Sequence, residues 1–174
     1  MEGLELLRAS LPDVARDIKL NLTTVLAPGA LTDAQRFSVA IASAHSARSP
    51  QLVSALTLDA RTAGVTDGVI EDAVAAAVLM AMNNIYYRFR HQVGREIYSQ
   101  KPARLRMNRL VAVKGSKADF ELMCLAVSAI NGCEACVRAH EKAVLEAGLT
   151  EEQVHDAVRV AATINAAALA LTLG

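Results

Sequence analysis

Tryptophan is missing from the 174-residue sequence, and aromatic residues of any kind make up only 3% of it. That disfavours a β-sandwich, whose strands draw on aromatic and β-branched side chains. Net charge is missing as well: 18 basic residues balance 18 acidic ones. No global attraction to nucleic acid or to a membrane surface is therefore expected. The longest unbroken apolar run, Ala73 to Met82, is too short to cross a bilayer. The apolar segment after Val160 is broken by Thr163 and Asn165. The start, Met1-Glu2-Gly3-Leu4-Glu5, carries acids in place of the basic residues and apolar core of a signal peptide. A cytoplasmic protein with no membrane association is the expectation. In that reducing compartment the three cysteines, Cys124, Cys133 and Cys136, do not form a structural disulfide framework.

Alanine is abundant, with 33 copies, and apolar residues make up 53% of the chain. Such a chain can bury a core large enough to offset its ordering entropy. Small side chains and good helix formers favour closely packed helices. Thr32-Asp33-Ala34-Gln35 and Thr150-Glu151-Glu152-Gln153 both fit a capping box, and Ser49-Pro50 fits an N-cap followed by proline in the first turn. Apolar residues recur at helical spacing, as in Val154, Ala157, Val158, Ala161 and Ile164. Breakers fall at Ala27-Pro28-Gly29, Gly64, Gly94, Pro102, Gly115, Asn131-Gly132 and Gly148. The fold class predicted is all-α, a single domain of about eight helices.

An internal repeat organises these helices. Gly64-Val65-Thr66 through Asp72-Ala73-Val74 to Ala77 matches Gly148-Leu149-Thr150 through Asp156-Ala157-Val158 to Ala161 at an offset of 84, with six of fourteen positions identical. Upstream, Ser43-Ala44 matches Ser128-Ala129 after a one-residue slip. The two units, about 32–84 and 117–171, are expected to pack with their long helices against each other. They differ at one turn: Asn131-Gly132-Cys133-Glu134-Ala135-Cys136 stands against Ser46-Ala47-Arg48-Ser49-Pro50-Gln51, which has no thiol.

Asn131-Gly132 ends a helix, which places Cys133 and Cys136 in the first turn of the next. A Cys-x-x-Cys pair there can form a reversible disulfide, and unpaired backbone N–H groups favour the thiolate. His140, four residues beyond Cys136, shares its helix face and supplies a base. Glu121 interrupts the apolar series Phe120, Leu122, Met123, Cys124, Leu125 on the preceding helix. It is either turned to solvent or kept for a partner such as His140. Dithiol redox chemistry is the reading we favour. A structural zinc site on Cys133, Cys136, His140 and either Cys124 or Glu121 is the competitor, although the second ligand pair usual for zinc is missing. Cys124 reads as a small core residue, His155 as a surface one, and His45 and His91 have no evident partner.

Charge is unevenly spread. Residues 88 to 117 hold nine basic side chains against the single acid Glu96, a local balance of plus eight against minus eight elsewhere. Tyr86, Tyr87 and Phe89 interleave with its start, as on a single-strand-binding surface. No nucleic-acid motif accompanies them. We read the stretch as a surface facing acidic helices within the chain or between copies of it.

With these residues assembled, the chain resembles the AhpD family of alkyl hydroperoxide reductases, within the carboxymuconolactone decarboxylase-like superfamily. The likeness runs over nearly the whole length. It includes Asp17-Ile18-Lys19-Leu20-Asn21-Leu22, Met82-Asn83-Asn84-Ile85-Tyr86-Tyr87-Arg88 and Leu105-Arg106-Met107-Asn108. Its most specific part is Phe120-Glu121-Leu122 with Ala126-Val127-Ser128-Ala129-Ile130-Asn131-Gly132-Cys133, Cys136 and His140. The resemblance implies an all-helical, trimeric peroxidase with no bound cofactor or metal. It also implies a protein that reduces its partner, the peroxiredoxin AhpC. Electrons would come from the dihydrolipoamide group of an acyltransferase, served by dihydrolipoamide dehydrogenase. Carried over by position, Cys136 becomes the peroxidatic thiol that forms a sulfenic acid, and Cys133 its resolving partner and proton donor. Glu121 and His140 become the proton relay. The chain departs from well-known members at Ala135, where a relay histidine can stand, and Glu134 adds negative charge beside the thiols. A disulfide reductase with little peroxidase activity of its own, or a zinc-stabilised helical protein, are the alternatives. A decarboxylase is disfavoured because a Cys-x-x-Cys has no part in that reaction.

Overall fold

Hydroxyl side chains, those of Thr32, Ser49, Thr66, Ser116 and Thr150, cap the starts of five helices. In the computed structural model, which describes residues 1–173, Thr32 and Thr150 close full capping boxes with Gln35 and Gln153. Ser49 accepts from the backbone N–H of Leu52 ahead of Pro50. Nine α-helices and two short 3₁₀ turns follow, and no strand occurs among the described residues. In chain order they are α1 (Glu2–Ser10), α2 (Arg16–Val25), α3 (Asp33–Ser46), α4 (Pro50–Thr62), α5 (Asp67–Val93), α6 (Glu96–Gln100), α7 (Lys117–Ile130), α8 (Glu134–Glu146) and α9 (Glu151–Ala170). The count exceeds the expected eight by one; α6 is only five residues long.

Helices α3 to α5 and α7 to α9 start at a constant displacement of 84 residues, 33 to 117, 50 to 134 and 67 to 151. The one-residue slip in the sequence reading is thereby corrected. Asn131 corresponds to Ala47 and Cys133 to Ser49, and the left-handed residues Arg48 and Gly132 coincide. The packing expectation is also corrected. The long helices α5 and α9 do not form the central pair. Instead α3 packs on α7, and each of these two touches both α5 and α9. The cause is visible in the burial of α3 and α7. Every residue from Gln35 to Ala44 and from Leu122 to Ser128 is buried, and a helix covered on all sides belongs in the centre.

The outer helices complete the layers. Helix α1 lies on α4, where the Asp59 carboxylate accepts from the N–H groups of Gly3 and Leu4 at 2.9 and 2.8 Å. Those are two of the unpaired donors at the α1 N-terminus, and the carboxylate also complements the helix dipole. Gly3 is held close, since a Cβ there would meet the Ala55 carbonyl oxygen at 2.8 Å. Helix α5 is long and apolar enough to span a bilayer by length and composition, which the run-length reading did not anticipate. One face of it lies in the core through Ile70, Ala73, Ala76, Ala77 and Met80, and it buries Asp72, Asn83 and Asn84.

Three of the nine basic residues in the 88–117 stretch pair with carboxylates inside the chain. Arg109 pairs with buried Asp72 at 2.5 Å, whose carboxylate also accepts from the Lys114 and Gly115 N–H groups. Lys114 pairs with Glu71, and Lys117 with Glu121 at 2.6 Å. Arg90 lies over the rings of Tyr86 and Tyr87. For Arg109, Lys114 and Lys117 the reading of a surface facing acidic helices holds, whereas Arg88 and Arg90 donate to backbone carbonyls and Lys101, Arg104 and Arg106 are exposed.

Candidate active site

The α7–α8 turn is built from backbone rules. After the C-cap Asn131, Gly132 adopts the left-handed conformation at φ 65°. Its N–H donates to Ala129 O at 3.2 Å and the Cys133 N–H to Ser128 O at 3.1 Å. These two bonds make a Schellman motif, which glycine closes without the Cβ clash. The chain then re-enters a helix at once, so Cys133 is the N-cap of α8 and Cys136 the third helical residue. Their sulfurs are joined in a disulfide with Cα atoms 5.3 Å apart.

A buried polar network holds the turn from below. Asn84 on α5 donates to Ser128 Oγ at 2.9 Å and accepts from the Asn131 side chain at 2.9 Å. Arg88, one turn further along α5, donates to the Asn131 carbonyl oxygen. Sequence reasoning quoted these residues within its motifs and gave them no role in the site. Two consecutive asparagines in an apolar, alanine-rich helix, with an arginine four residues after the second, were the available signal.

The four expected site residues come together. Cys133 is fully buried, whereas Cys136 keeps 6% of its surface and lines a cavity of about 280 Å³ with His140. Tyr87, Met107 and Leu110 make its apolar walls, with Ala135 and Ala139, and Asn83 lines it too. A second cavity of about 320 Å³ shares none of these residues; Asn131 lines it, and neither cysteine does. His140 Nδ1 lies 2.7 Å from Glu121 Oε2. The hydrogen bond from His140, aided by Lys117, holds the Glu121 carboxyl down at about 2 despite burial, so it is ionised at neutral pH. A carboxylate only accepts, so Nδ1 carries the proton and Nε2 is left as the free basic position. Of the two fates foreseen for Glu121, the partnered one holds: its side chain is 15% exposed.

The remaining candidates separate from this cluster. Cys124 lies in the core, and burial raises its thiol pKa well above the ordinary range, so it stays protonated. His91 does have a neighbour, contrary to the sequence reading: its Nε2 lies 3.4 Å from Glu134. Arg138 also binds Glu134, at 2.7 Å, and holds that exposed carboxyl below its ordinary value. The charge beside the thiols is thus partly offset by two cationic or basic side chains. His155 is exposed, as expected, and sits with Glu152 and Asp156, the one group of ligand-type side chains close enough to share a metal ion among the described residues.

A helical core carrying a Cys-x-x-Cys at the start of α8 defines a class, and comparison with known proteins agrees with it. Residues 100–173 match the Carboxymuconolactone decarboxylase family. The chain is 61% identical over 173 residues to Alkyl hydroperoxide reductase AhpD of Anaeromyxobacter dehalogenans (strain 2CP-C), covering 99% of this chain and 92% of the relative. Proteins of the same name from Maricaulis maris (strain MCS10) and Rhodopseudomonas palustris (strain BisB18) are 44% and 41% identical. Those matches cover 97% and 99% of this chain, and 97% and 94% of the relatives. The chain belongs to the alkyl hydroperoxide reductase AhpD family.

Proposed function

We propose that this protein reduces alkyl hydroperoxides with the Cys133–Cys136 dithiol. The observation that carries the reading is that Cys136, and not Cys133, opens with His140 onto one apolar cavity. His140 Nε2 takes the Cys136 proton while Glu121 stabilises the resulting imidazolium. The thiolate attacks the terminal peroxide oxygen, the O–O bond breaks, and the alkoxide leaves with the proton returned from His140. Cys136 is now a sulfenic acid. Cys133 condenses with it, forming the disulfide and releasing water. A dithiol of the dihydrolipoamide type reopens the disulfide by exchange, and the reduced pair can equally serve the disulfide of the peroxiredoxin AhpC. Apolar walls of Tyr87, Met107 and Leu110 suit an alkyl substituent. The test is stoichiometry: fully reduced protein mixed with limiting cumene hydroperoxide is expected to yield one disulfide and one alcohol per peroxide consumed, read by mass spectrometry and chromatography. Loss of thiols to Cys124, or no loss at all, would contradict the reading.

The assembly proposed is a cytoplasmic homotrimer. Val78, Ala81, Ile85 and Phe89 form an exposed apolar stripe along α5, with Val78 and Ile85 each 65% exposed. A continuous stripe on a long helix is better buried against further copies of the chain than left in water. Ile85→Glu is expected to shift the protein to monomer in sedimentation velocity while leaving its helical circular dichroism unchanged.

A further inference from the structure

Two of the three large wall residues of the Cys136 cavity, Met107 and Leu110, come from residues 101–116, the longest connection between α-helices; Tyr87 on α5 is the third. No residue of that connection is fully buried, and its packing on the hydrophobic core is confined to Leu110 and Val113, both partly exposed. Polar anchors fix its course instead, and Asp72 on α5 holds three of them. Asp72 is 1% exposed and accepts from Arg109 Nη2 at 2.5 Å, the Lys114 N–H at 3.0 Å and the Gly115 N–H at 2.7 Å. All three donors lie on the connection. Charge-assisted bonds of this kind are strong, and a buried carboxylate deprived of them is left uncompensated. Gly115 lies so close to α5 that a Cβ there would meet Val69 Cγ2 at 3.0 Å.

The wall residues are tied in as well. Asn83 on α5 donates to Met107 Sδ at 3.2 Å, the one hydrogen bond of its amide, whose buried Oδ1 has no partner. Lys117 Nζ donates to the Leu110 carbonyl oxygen at 2.9 Å and lies 2.6 Å from Glu121, which joins the wall to the acid of the His140 pair. The internal repeat shows that this use of Asp72 is particular to the first copy. Its counterpart 84 residues on, Asp156, pairs at 2.8 Å with Arg159 of its own helix, and among the described residues it hydrogen-bonds nothing outside α9.

We propose that Asp72 is a positioning residue for peroxide selection: by holding residues 107–115 on α5 it sets the apolar wall that favours an organic hydroperoxide over hydrogen peroxide. This deepens the peroxidase reading above and rests on it. Asp72 precedes Asn83 by three turns of α5, about 16 Å, so it acts through the connection and not on the reacting atoms. Both oxidants offer Cys136 the same O–O bond and leave the same sulfenic acid, one expelling an alcohol and the other water. The wall therefore distinguishes them only through the organic group, which Met107 and Leu110 remove from water and which hydrogen peroxide lacks.

The test uses Asp72→Asn, which keeps the shape and removes the charge shared by the three donors. Fully reduced protein is mixed in stopped flow with cumene hydroperoxide and, separately, with hydrogen peroxide. The cumene hydroperoxide rate constant is expected to fall about tenfold, with that for hydrogen peroxide within about twofold of wild type. Hydrogen exchange read by mass spectrometry is expected to quicken over residues 107–115 and to stay unchanged in α8. Equal losses with both peroxides would mean that Asp72 only supports the fold. A gain with cumene hydroperoxide would make the connection a barrier, and unchanged rates or unchanged exchange would mean that the wall does not depend on this anchor. Each overturns the proposal. Wild-type protein that neither peroxide oxidises would overturn the peroxidase reading, and this one with it; wild type that reacts with both, while Asp72→Asn keeps their ratio, refutes this one alone. Should Asp72→Asn fail to fold, Arg109→Met removes one donor at a partly exposed position. It is expected to lower the ratio of the cumene hydroperoxide to the hydrogen peroxide rate constant by about threefold, and an unchanged ratio would be a refutation.

Discussion

Cys136→Ser is expected to lower peroxide turnover with dihydrolipoamide by about 10³-fold or more, as removal of a nucleophile does elsewhere. A serine hydroxyl in this place does not ionise at neutral pH, and no other thiol lines the cavity. Cys133→Ser is expected to behave differently. Its thiol is fully buried and does not line the cavity, so the first chemical step survives its loss. That variant should consume one equivalent of peroxide, stop, and hold a sulfenic acid on Cys136 that dimedone labels and mass spectrometry locates. The pair of variants thus separates the two sulfurs. A Cys136→Ser protein that forms a dimedone adduct on Cys133 would reverse the assignment.

The two copies of the helical unit explain why only one of them holds a site. With the displacement of 84, Cys133 falls on Ser49, Cys136 on Leu52, His140 on Leu56 and Glu121 on Phe37. Leu52 and Leu56 are fully buried and Phe37 nearly so. The first copy therefore fills with hydrocarbon three of the four positions where the second keeps its reactive groups, and at the fourth Ser49 caps α4. Helix α1 supplies the rest of the difference. It covers α4 so closely that Gly3 abuts Ala55, whose counterpart on α8 is the cavity residue Ala139. The α4 surface is closed by part of the same chain, and the matching α8 surface stays open to a ligand.

Local rules made much of this legible from sequence. Capping boxes, the proline after Ser49, and the cysteine and histidine spacing on α8 involve residues within about one turn of each other, so short stretches determine them. The partnership of Glu121 with His140 was foreseeable because an acid inside an apolar run needs a reason. What sequence did not show were choices made across helices. The central α3–α7 pair depends on which of several apolar helices is covered on every side, and periodicity weakens when a helix is buried all round. Ser128 and Asn131 lie 44 and 47 residues from Asn84, and no local pattern joins the three. Asn83 looked like its neighbour until the fold gave one amide its partners and left the other with a free oxygen.

Glu121→Gln is expected to cost about 10²-fold in the rate of Cys136 oxidation, the usual scale for disabling an acid–base pair. Glutamine still offers an acceptor to His140 Nδ1, so the ring stays in place; the loss arises because a neutral amide does not stabilise the imidazolium formed when Cys136 gives up its proton. Stability gives an independent reading of the same charge. The Glu121 carboxyl is held at about 2 in the folded chain against an ordinary value of 4.5. Its depressed value means that ionised Glu121 favours the folded state at every pH above about 4.5. As pH falls from there toward 2 the unfolded chain takes up a proton that the folded chain does not, and the advantage disappears. A tenfold change in an ionisation constant is equivalent to about 1.4 kcal/mol, and screening of the half-exposed Lys117 partner reduces the whole to about 2 kcal/mol. Urea denaturation should therefore show wild type more stable than Glu121→Gln at pH 7 and the two converging near pH 2.5. Parallel curves across that range would mean that the His140 and Lys117 contacts do not hold the carboxylate as the geometry requires.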